Sequence, residues 1–133
     1  MRYVAFVHKE PGSSYGVSFP DFPGCISAGN TADVALHNAV EALAGHVAAM
    51  RSDGDAIPEP RDLETVLEDD ELAENREGAT IAFVPLVVDR GSSVRVNVSM
   101  DAGLLEAIDA AARERGMTRS AFIASAARNE ISA

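Results

Sequence analysis

The sequence predicts an α+β protein made of two unequal parts. Residues 1–88 predict a small β-β-β-α-β sheet domain, because four β-rich segments surround one long helical pattern. Residues 93–133 predict one strand followed by two helices, and residues 89–92, Asp-Arg-Gly-Ser, predict a linker between the two parts. The segment 93–100 alternates strictly between apolar and polar residues, which is typical of a strand. Two helical patterns and no further strand follow it, which supports a separate second part.

The first domain begins with three β-rich segments. Arg2–Lys9 alternates weakly, and a turn cluster separates it from Tyr15–Phe19, so these two strands predict a hairpin. Residues 20–24, Pro-Asp-Phe-Pro-Gly, end the second strand because each proline restricts the residue before it. A third short strand is expected over Cys25–Ala28.

One long helix and one further strand complete the first domain. Thr31 is a good N-cap residue, and apolar side chains recur at helical spacing to about Arg51. The acidic stretch Arg61–Asn75 predicts one or two short helical turns. Thr80–Val88 predicts a strand that contains Pro85, so this strand lies at an edge of the sheet or carries a bulge. The expected fold is therefore a sheet with a helix on one face.

The segment 93–100 is the feature around which the second part is organised. Val94, Val96, Val98 and Met100 point to one side, while Arg95, Asn97 and Ser99 point to the other. A lone strand leaves its backbone groups unpaired and its apolar side bare, so we expect a second copy of the chain to pair with it. A two-stranded antiparallel ribbon fits the major groove of DNA, and Arg, Asn and Ser are suited to contact base edges and phosphates.

Two helices follow the segment 93–100. Ala102–Arg115 predicts the first helix, and Gly116 is its expected C-cap. Thr118 is the expected N-cap of the second helix. The turn Thr118-Arg119-Ser120 combines free backbone N–H groups, the positive end of a helix dipole and a guanidinium, which predicts a phosphate clamp.

The charge of the chain is concentrated in its first part. The formal net charge is −10, and residues 1–92 hold six Lys or Arg against sixteen Asp or Glu, while residues 93–133 hold five of each. An acidic first part attracts a basic partner, and the second part is the one that can approach DNA. The single cysteine excludes an internal disulfide, and no apolar run reaches 18 residues. A cytoplasmic protein without membrane association is expected.

No catalytic, metal or cofactor site is expected. Two-metal nuclease chemistry requires a cluster of carboxylates, and the first strand holds none, while Asp21 stands alone in a turn. Cys25, among apolar neighbours, is expected to be a buried structural cysteine. His37 and His46 are nine residues apart on the helix, so they face different sides and do not form a metal pair.

Residues 93–131 resemble the ribbon-helix-helix DNA-binding family through the alternating strand and the turn GMTRSAFI at residues 116–123. The resemblance implies that Arg95, Asn97 and Ser99 enter the major groove. It also implies that Thr118, Arg119 and Ser120 grip a backbone phosphate. Asp101 stands where the family commonly has proline, and an aspartate can cap a helix there.

Residues 1–88 resemble the HicB antitoxin family through YGVSFPDFPG at residues 15–24, which follows HKE and precedes the long helix. The resemblance implies a degenerate ribonuclease H-like sheet, and a protein that blocks a HicA toxin and represses its own operon. HicA toxins are small basic ribonucleases with a double-stranded-RNA-binding-like fold. His8, Asp21 and an exposed Phe22 are the expected toxin contacts, and the acidic segment Glu59–Glu77 is a candidate surface for the toxin. The protein is expected to be at least a dimer, and contacts between first domains would make a tetramer.

Two other functions remain open from the sequence. The chain could be a stand-alone ribbon-helix-helix repressor whose first domain senses a ligand or a protein, or it could be a remnant enzyme. A neighbouring gene for a small basic protein of double-stranded-RNA-binding type favours the antitoxin over the stand-alone repressor. Nuclease activity with added metal would favour the enzyme.

Overall fold

The computed structural model describes residues 1–132 of the chain. The chain divides into two compact units, Met1–Val88 and the residues from Asp89 onward. The first is called the N-terminal unit below and the second is called the tail.

The N-terminal unit is built on a four-stranded antiparallel sheet. Its strands are β1 (Arg2–Lys9), β2 (Tyr15–Ser18), β3 (Ile26–Gly29) and β4 (Thr80–Pro85), in the spatial order β3-β2-β1-β4. β4 lies at an edge, as Pro85 predicted. β1 lies between two neighbours and is buried over five consecutive residues, 3 to 7, so both of its faces are covered.

The long helix α1 (Ala32–Ser52) covers one face of this sheet. Thr31 caps it as predicted, because its hydroxyl accepts a hydrogen bond from the N–H of Val34 at 3.1 Å. The buried face of α1 consists of Ala35, Ala39, Leu43 and Val47. Val34, although apolar, lies outside this face and is 47% exposed. Small alanines lie against the sheet instead, which lets the helix approach it closely.

The start of α1 approaches the end of β3 so closely that Gly29 is required there. A Cβ atom at this glycine would lie 2.5 Å from the backbone nitrogen of Ala35 and 2.8 Å from Cγ1 of Val34. Real Cβ atoms are not found at such separations. Any larger residue at this position would force the helix away from the sheet.

The helix α1 is the predicted helix on one face, and the acidic segment covers part of the other face in addition. This segment forms α2 (Leu63–Glu68), a short 3₁₀ turn (Asp70–Leu72) and α3 (Ala73–Arg76). Val66 is fully buried against Val4 and Phe6 of β1. The expected short helical turns are therefore present, and they complete a second core.

The tail contains two helices, α4 (Ala102–Glu114) and α5 (Arg119–Ser132). Asp101 caps α4 by accepting a hydrogen bond from the N–H of Leu104 at 3.1 Å. Gly116 follows the end of α4, as the sequence predicted. Its φ is +66°, a left-handed conformation that favours glycine. Among residues 89–131 the buried apolar core is limited to Ala112. A single tail thus lacks the buried surface of a stable small domain.

Candidate DNA-binding and partner-binding surfaces

The segment 93–100 forms no ladder with any other described residue of the chain. The strand predicted here is therefore absent from the single chain, because a strand needs a neighbour for its backbone hydrogen bonds. Val94, Val96 and Val98 are 87%, 71% and 67% exposed. Large apolar side chains at every second position, left in solvent, indicate a surface that a partner covers.

The six residues predicted to contact DNA all lie in the tail, and all six are exposed: Arg95, Asn97, Ser99, Thr118, Arg119 and Ser120. The first three alternate with the exposed valines. The other three are at the start of α5, where the hydroxyl of Thr118 accepts a hydrogen bond from the N–H of Ala121 at 3.1 Å. The predicted N-cap is confirmed, while the contact of these residues with DNA stays a prediction.

Arg119 is paired with the carboxylate of Asp109, a contact that no local pattern in the sequence predicts. Its Nε and Nη2 atoms donate to the two carboxylate oxygens of Asp109, each at 2.8 Å. The pairing raises the pKa of Arg119 and lowers the pKa of Asp109. A guanidinium has five N–H donors, so three remain for another acceptor such as a phosphate oxygen. This pair of hydrogen bonds, called the fork below, orients the guanidinium of Arg119 at the start of α5.

The expectation that Phe22 is an exposed contact is wrong. Its side chain is 1% exposed, and its ring packs edge-on against Tyr3, with centroids 4.7 Å apart, and against His46, with centroids 5.8 Å apart. The Pro-Asp-Phe-Pro-Gly turn folds over the end of the sheet, so its aromatic ring completes the core beneath α1. His46 has a packing role in this cluster.

Asp21 is a buried anchor and not a surface contact, which also corrects the expectation from the sequence. Its carboxylate is 3% exposed and accepts hydrogen bonds from Nε of Arg61 at 2.6 Å and from the backbone N–H of Arg61 at 3.1 Å. Arg61 donates in addition to Asp69 at 3.0 Å. The hydrogen bonds that Arg61 donates raise its pKa, and the bond to Asp21 has the largest effect. Arg61 therefore ties the turn to the acidic segment.

The acidic segment is also fixed from its other end. Nη1 of Arg76 donates to the carbonyl oxygen of Val66 at 3.0 Å and to the carbonyl oxygen of Asp69. The carboxylate of Asp69 accepts the N–H of Glu71, and this bond, followed by that from Arg61, lowers the pKa of Asp69. Two arginines thus hold a short acidic segment in a defined conformation.

His8, the remaining predicted toxin contact, is half-buried on β1. Its ring lies edge-on to Phe6, with centroids 6.4 Å apart. Side chains two residues apart on a strand share a face, so His8 lies on the same face as Val4 and Phe6, the face that carries α2. Its role as a toxin contact stays a prediction.

Cys25 is buried, as expected, and burial raises the pKa of its thiol. Within residues 1–132, no group of three or more His, Cys, Asp or Glu side chains is placed to hold a metal ion. No helix in the same range has both the length and the apolar character required to cross a bilayer.

The family model that matches this chain is that of the HicB-like antitoxin of bacterial toxin-antitoxin systems, and it matches residues 3–127. That span includes most of both units. The chain belongs to the HicB-like antitoxin family. The family expected from residues 15–24 is confirmed for this HicB-like chain, and the mixed α+β fold with a four-stranded antiparallel sheet agrees with it.

Three similar proteins support this membership. The HicB-like chain is 33% identical over 133 residues to a 14.9 kDa protein of the rep-hol intergenic region of Haemophilus phage HP1, and the match covers 98% of each chain. Its sequence is 36% identical to that of the Burkholderia pseudomallei antitoxin HicB. The crystal structure of that antitoxin matches this chain with a TM-score of 0.57, and the match covers 98% of each chain. The HicB-like chain is also 36% identical to a chain in a HicA3 and HicB3 toxin-antitoxin complex, with 67% of this chain and 99% of that chain covered and a TM-score of 0.53.

Proposed function

We propose that this HicB-like chain neutralises a HicA-type toxin through its N-terminal unit and represses its own operon through a dimeric ribbon-helix-helix tail. The observation that carries the proposal is the family match over residues 3–127, together with the solved complex of HicA3 with a HicB3 chain that is 36% identical to this one. No catalytic step is assigned to the chain, because an antitoxin acts by binding.

The charge distribution supports a basic toxin as the partner of the N-terminal unit. Eight carboxylates of the acidic segment and the loop before it are exposed: Glu59, Asp62, Glu64, Glu68, Asp70, Glu71, Glu74 and Glu77. A concentrated negative charge speeds encounter with a basic protein and favours correct orientation. A toxin that binds RNA carries the opposite charge.

The exposed valines support a dimeric tail. Pairing of the segment 93–100 with its copy in a second chain would cover Val94, Val96 and Val98 and would satisfy the backbone groups of both segments. The opposite side of the ribbon would then present Arg95, Asn97 and Ser99 from each protomer. The start of α5 would supply phosphate contacts on both sides of the ribbon.

Co-purification tests the toxin half of the proposal. The tagged chain is expressed together with a HicA-type toxin, and the complex is isolated by affinity capture and gel filtration. A stable complex of the two proteins is expected. Elution of the folded chain without the toxin, at micromolar concentration of both, would contradict the proposal.

Arg95→Ala is expected to relax the sequence preference of DNA binding. A bidentate contact from arginine to guanine contributes about 1–3 kcal/mol of discrimination, so operator affinity should fall by roughly 10-fold to 100-fold while binding to unrelated duplexes falls less. Fluorescence anisotropy with operator and scrambled duplexes measures this. Arg51→Ala removes the same charge from the N-terminal unit and should leave both affinities unchanged. Equal loss on both duplexes would contradict the assignment of Arg95 to base contact.

Arg119→Ala is expected to weaken binding to all duplexes by a similar factor. Loss of one phosphate contact should also reduce the slope of log affinity against log salt by about 1, because one fewer counterion is released. Titrations at four salt concentrations give this slope. Arg119→Lys keeps the charge without the fork and should retain the slope at reduced affinity. An unchanged slope in Arg119→Ala would place Arg119 away from the phosphates.

A further inference from the structure

The sheet face that carries α2 is covered over only part of its width. Residues paired across antiparallel strands share a face, and Phe6, Ser18 and Ile26 form one such row from β1 to β3. Phe6 is 1% exposed beneath the acidic segment, whereas Ile26, at the other end of the row, is 72% exposed. The β3 side of this face therefore presents a large apolar side chain to solvent.

A cavity of about 250 Å³ lies beside Ile26. Buried aromatic rings of Phe6, Phe19 and Phe22 contribute to its wall, and the Pro-Asp-Phe-Pro-Gly turn borders it. Leu72 and Asn75 line it from the acidic segment. This cavity, together with Ile26, is called the turn pocket below. It is large enough for one or two apolar side chains of a partner protein.

Acidic residues, called the acidic rim below, lie next to Leu72 and Asn75 in the chain. Asp70, Glu71 and Glu74 are their neighbours in the segment, and all three are exposed. The salt bridge between Asp21 and Arg61 joins the turn that borders the pocket to the segment that carries these carboxylates. The turn pocket and the acidic rim are therefore held together before any partner binds, which reduces the entropy cost of binding.

We propose that the turn pocket is the surface on which the basic toxin docks, with an apolar toxin side chain in the pocket and toxin lysines or arginines against Asp70, Glu71 and Glu74. This inference rests on the proposed function. An apolar anchor surrounded by complementary charge is the usual arrangement of a specific interface. A second copy of this chain fits less well, because its N-terminal unit carries the same excess of acidic residues and repels the rim.

The test is isothermal titration of the full-length chain with the purified HicA-type toxin. Ile26→Arg replaces the exposed anchor, and Asn75→Trp places a bulky ring at the mouth of the pocket from an exposed position. Each is expected to weaken toxin binding at least 10-fold, the effect of losing an interface hot spot. Val34→Arg is the matched control, because Val34 is 47% exposed on α1, which covers the opposite face of the sheet. It should change affinity by less than threefold.

The outcomes separate the docking surface from the proposed function. Absence of toxin binding by the unchanged chain would overturn the proposed function and this inference with it. Tight binding by the unchanged chain and, within threefold, by both Ile26→Arg and Asn75→Trp would overturn the docking surface alone. Circular dichroism and thermal melting identify a variant that fails to fold, and in that case the other of the two variants decides. Loss of affinity in the folded variants with an unaffected Val34→Arg supports the surface.

Discussion

Replacing Val96 by aspartate is expected to convert the proposed dimer into a monomer and to abolish the proposed operator binding. Val96 is 71% exposed in the single chain and lies at the centre of the row of valines that the second copy would cover. Burial of an unpaired carboxylate is costly, and the symmetry of the dimer introduces two of them. The dissociation constant of the dimer should rise at least 100-fold, which sedimentation equilibrium measures.

Asn97→Asp is the matched control for this variant, because it adds the same charge to the neighbouring position on the predicted DNA side. It should remain a dimer and lose affinity for DNA, since the carboxylate repels phosphates. The two variants thus separate dimerisation from DNA contact. A Val96→Asp chain that stays dimeric at the concentrations where the unchanged chain is dimeric would contradict the ribbon.

Arg61→Ala is expected to destabilise the N-terminal unit by about 2–4 kcal/mol. The substitution leaves the carboxylate of Asp21, which is 3% exposed, without its guanidinium partner, and removal of one member of a buried pair costs about 3–5 kcal/mol. The 32% exposure of the Arg61 side chain reduces this figure, because water screens its charge. Urea denaturation followed by circular dichroism measures the change in the free energy of unfolding.

The double variant Arg61→Ala with Asp21→Asn should recover part of the lost stability, because the neutral amide needs no charged partner. Arg51→Ala, at an exposed arginine near the end of α1, should change stability by less than about 0.5 kcal/mol. A cost of Arg61→Ala no larger than that of Arg51→Ala would contradict the anchor.

The contribution of Asp69 to this network gives the anchor a pH dependence. The pKa of Asp69 is lowered from its ordinary value of 3.8, so the carboxylate form is favoured by folding. Its stabilising contribution is fully present above that ordinary value and is lost as pH falls through the lowered pKa of the folded state. The bond from the N–H of Glu71 is the larger cause of this lowering and is retained in Arg61→Ala. Only the part of the Arg61→Ala cost that comes from the pair with Asp69 should therefore shrink in strong acid.

Local patterns predicted most of the elements of this fold. The hydroxyl of Thr31, the ring of Pro85 and the missing side chain of Gly116 each act within a few residues of their own position. Their consequences can therefore be derived from the sequence. The same holds for the HicB-like signature at residues 15–24, which led to the family that the comparison confirms.

The errors concern residues whose partners lie far away along the chain. Asp21 was interpreted as a lone carboxylate in a turn, but its partner Arg61 comes 40 residues later. Phe22 was expected to be exposed because turns are usually on the surface, yet its ring meets Tyr3 and His46. The second covered face of the sheet was missed because Val66 lies among acidic residues, which conceal the apolar side of the short helix. Tertiary contacts of this kind leave no local pattern.

The segment 93–100 is a different case, because its predicted partner belongs to another molecule. The alternation shows which side chains share a face, and the structure shows that these valines are uncovered in a single chain. The strand that would pair with this segment belongs to a second copy of the chain.

The most direct test of the central claim is growth of a host that expresses a HicA-type toxin, with and without this chain. The toxin alone should stop growth, and co-expression of the chain should restore growth to the rate of an empty-vector culture. A catalytically inactive toxin serves as the control for expression burden. Continued growth arrest, with the chain folded and present at least at the level of the toxin, would contradict the claim that this chain is its antitoxin.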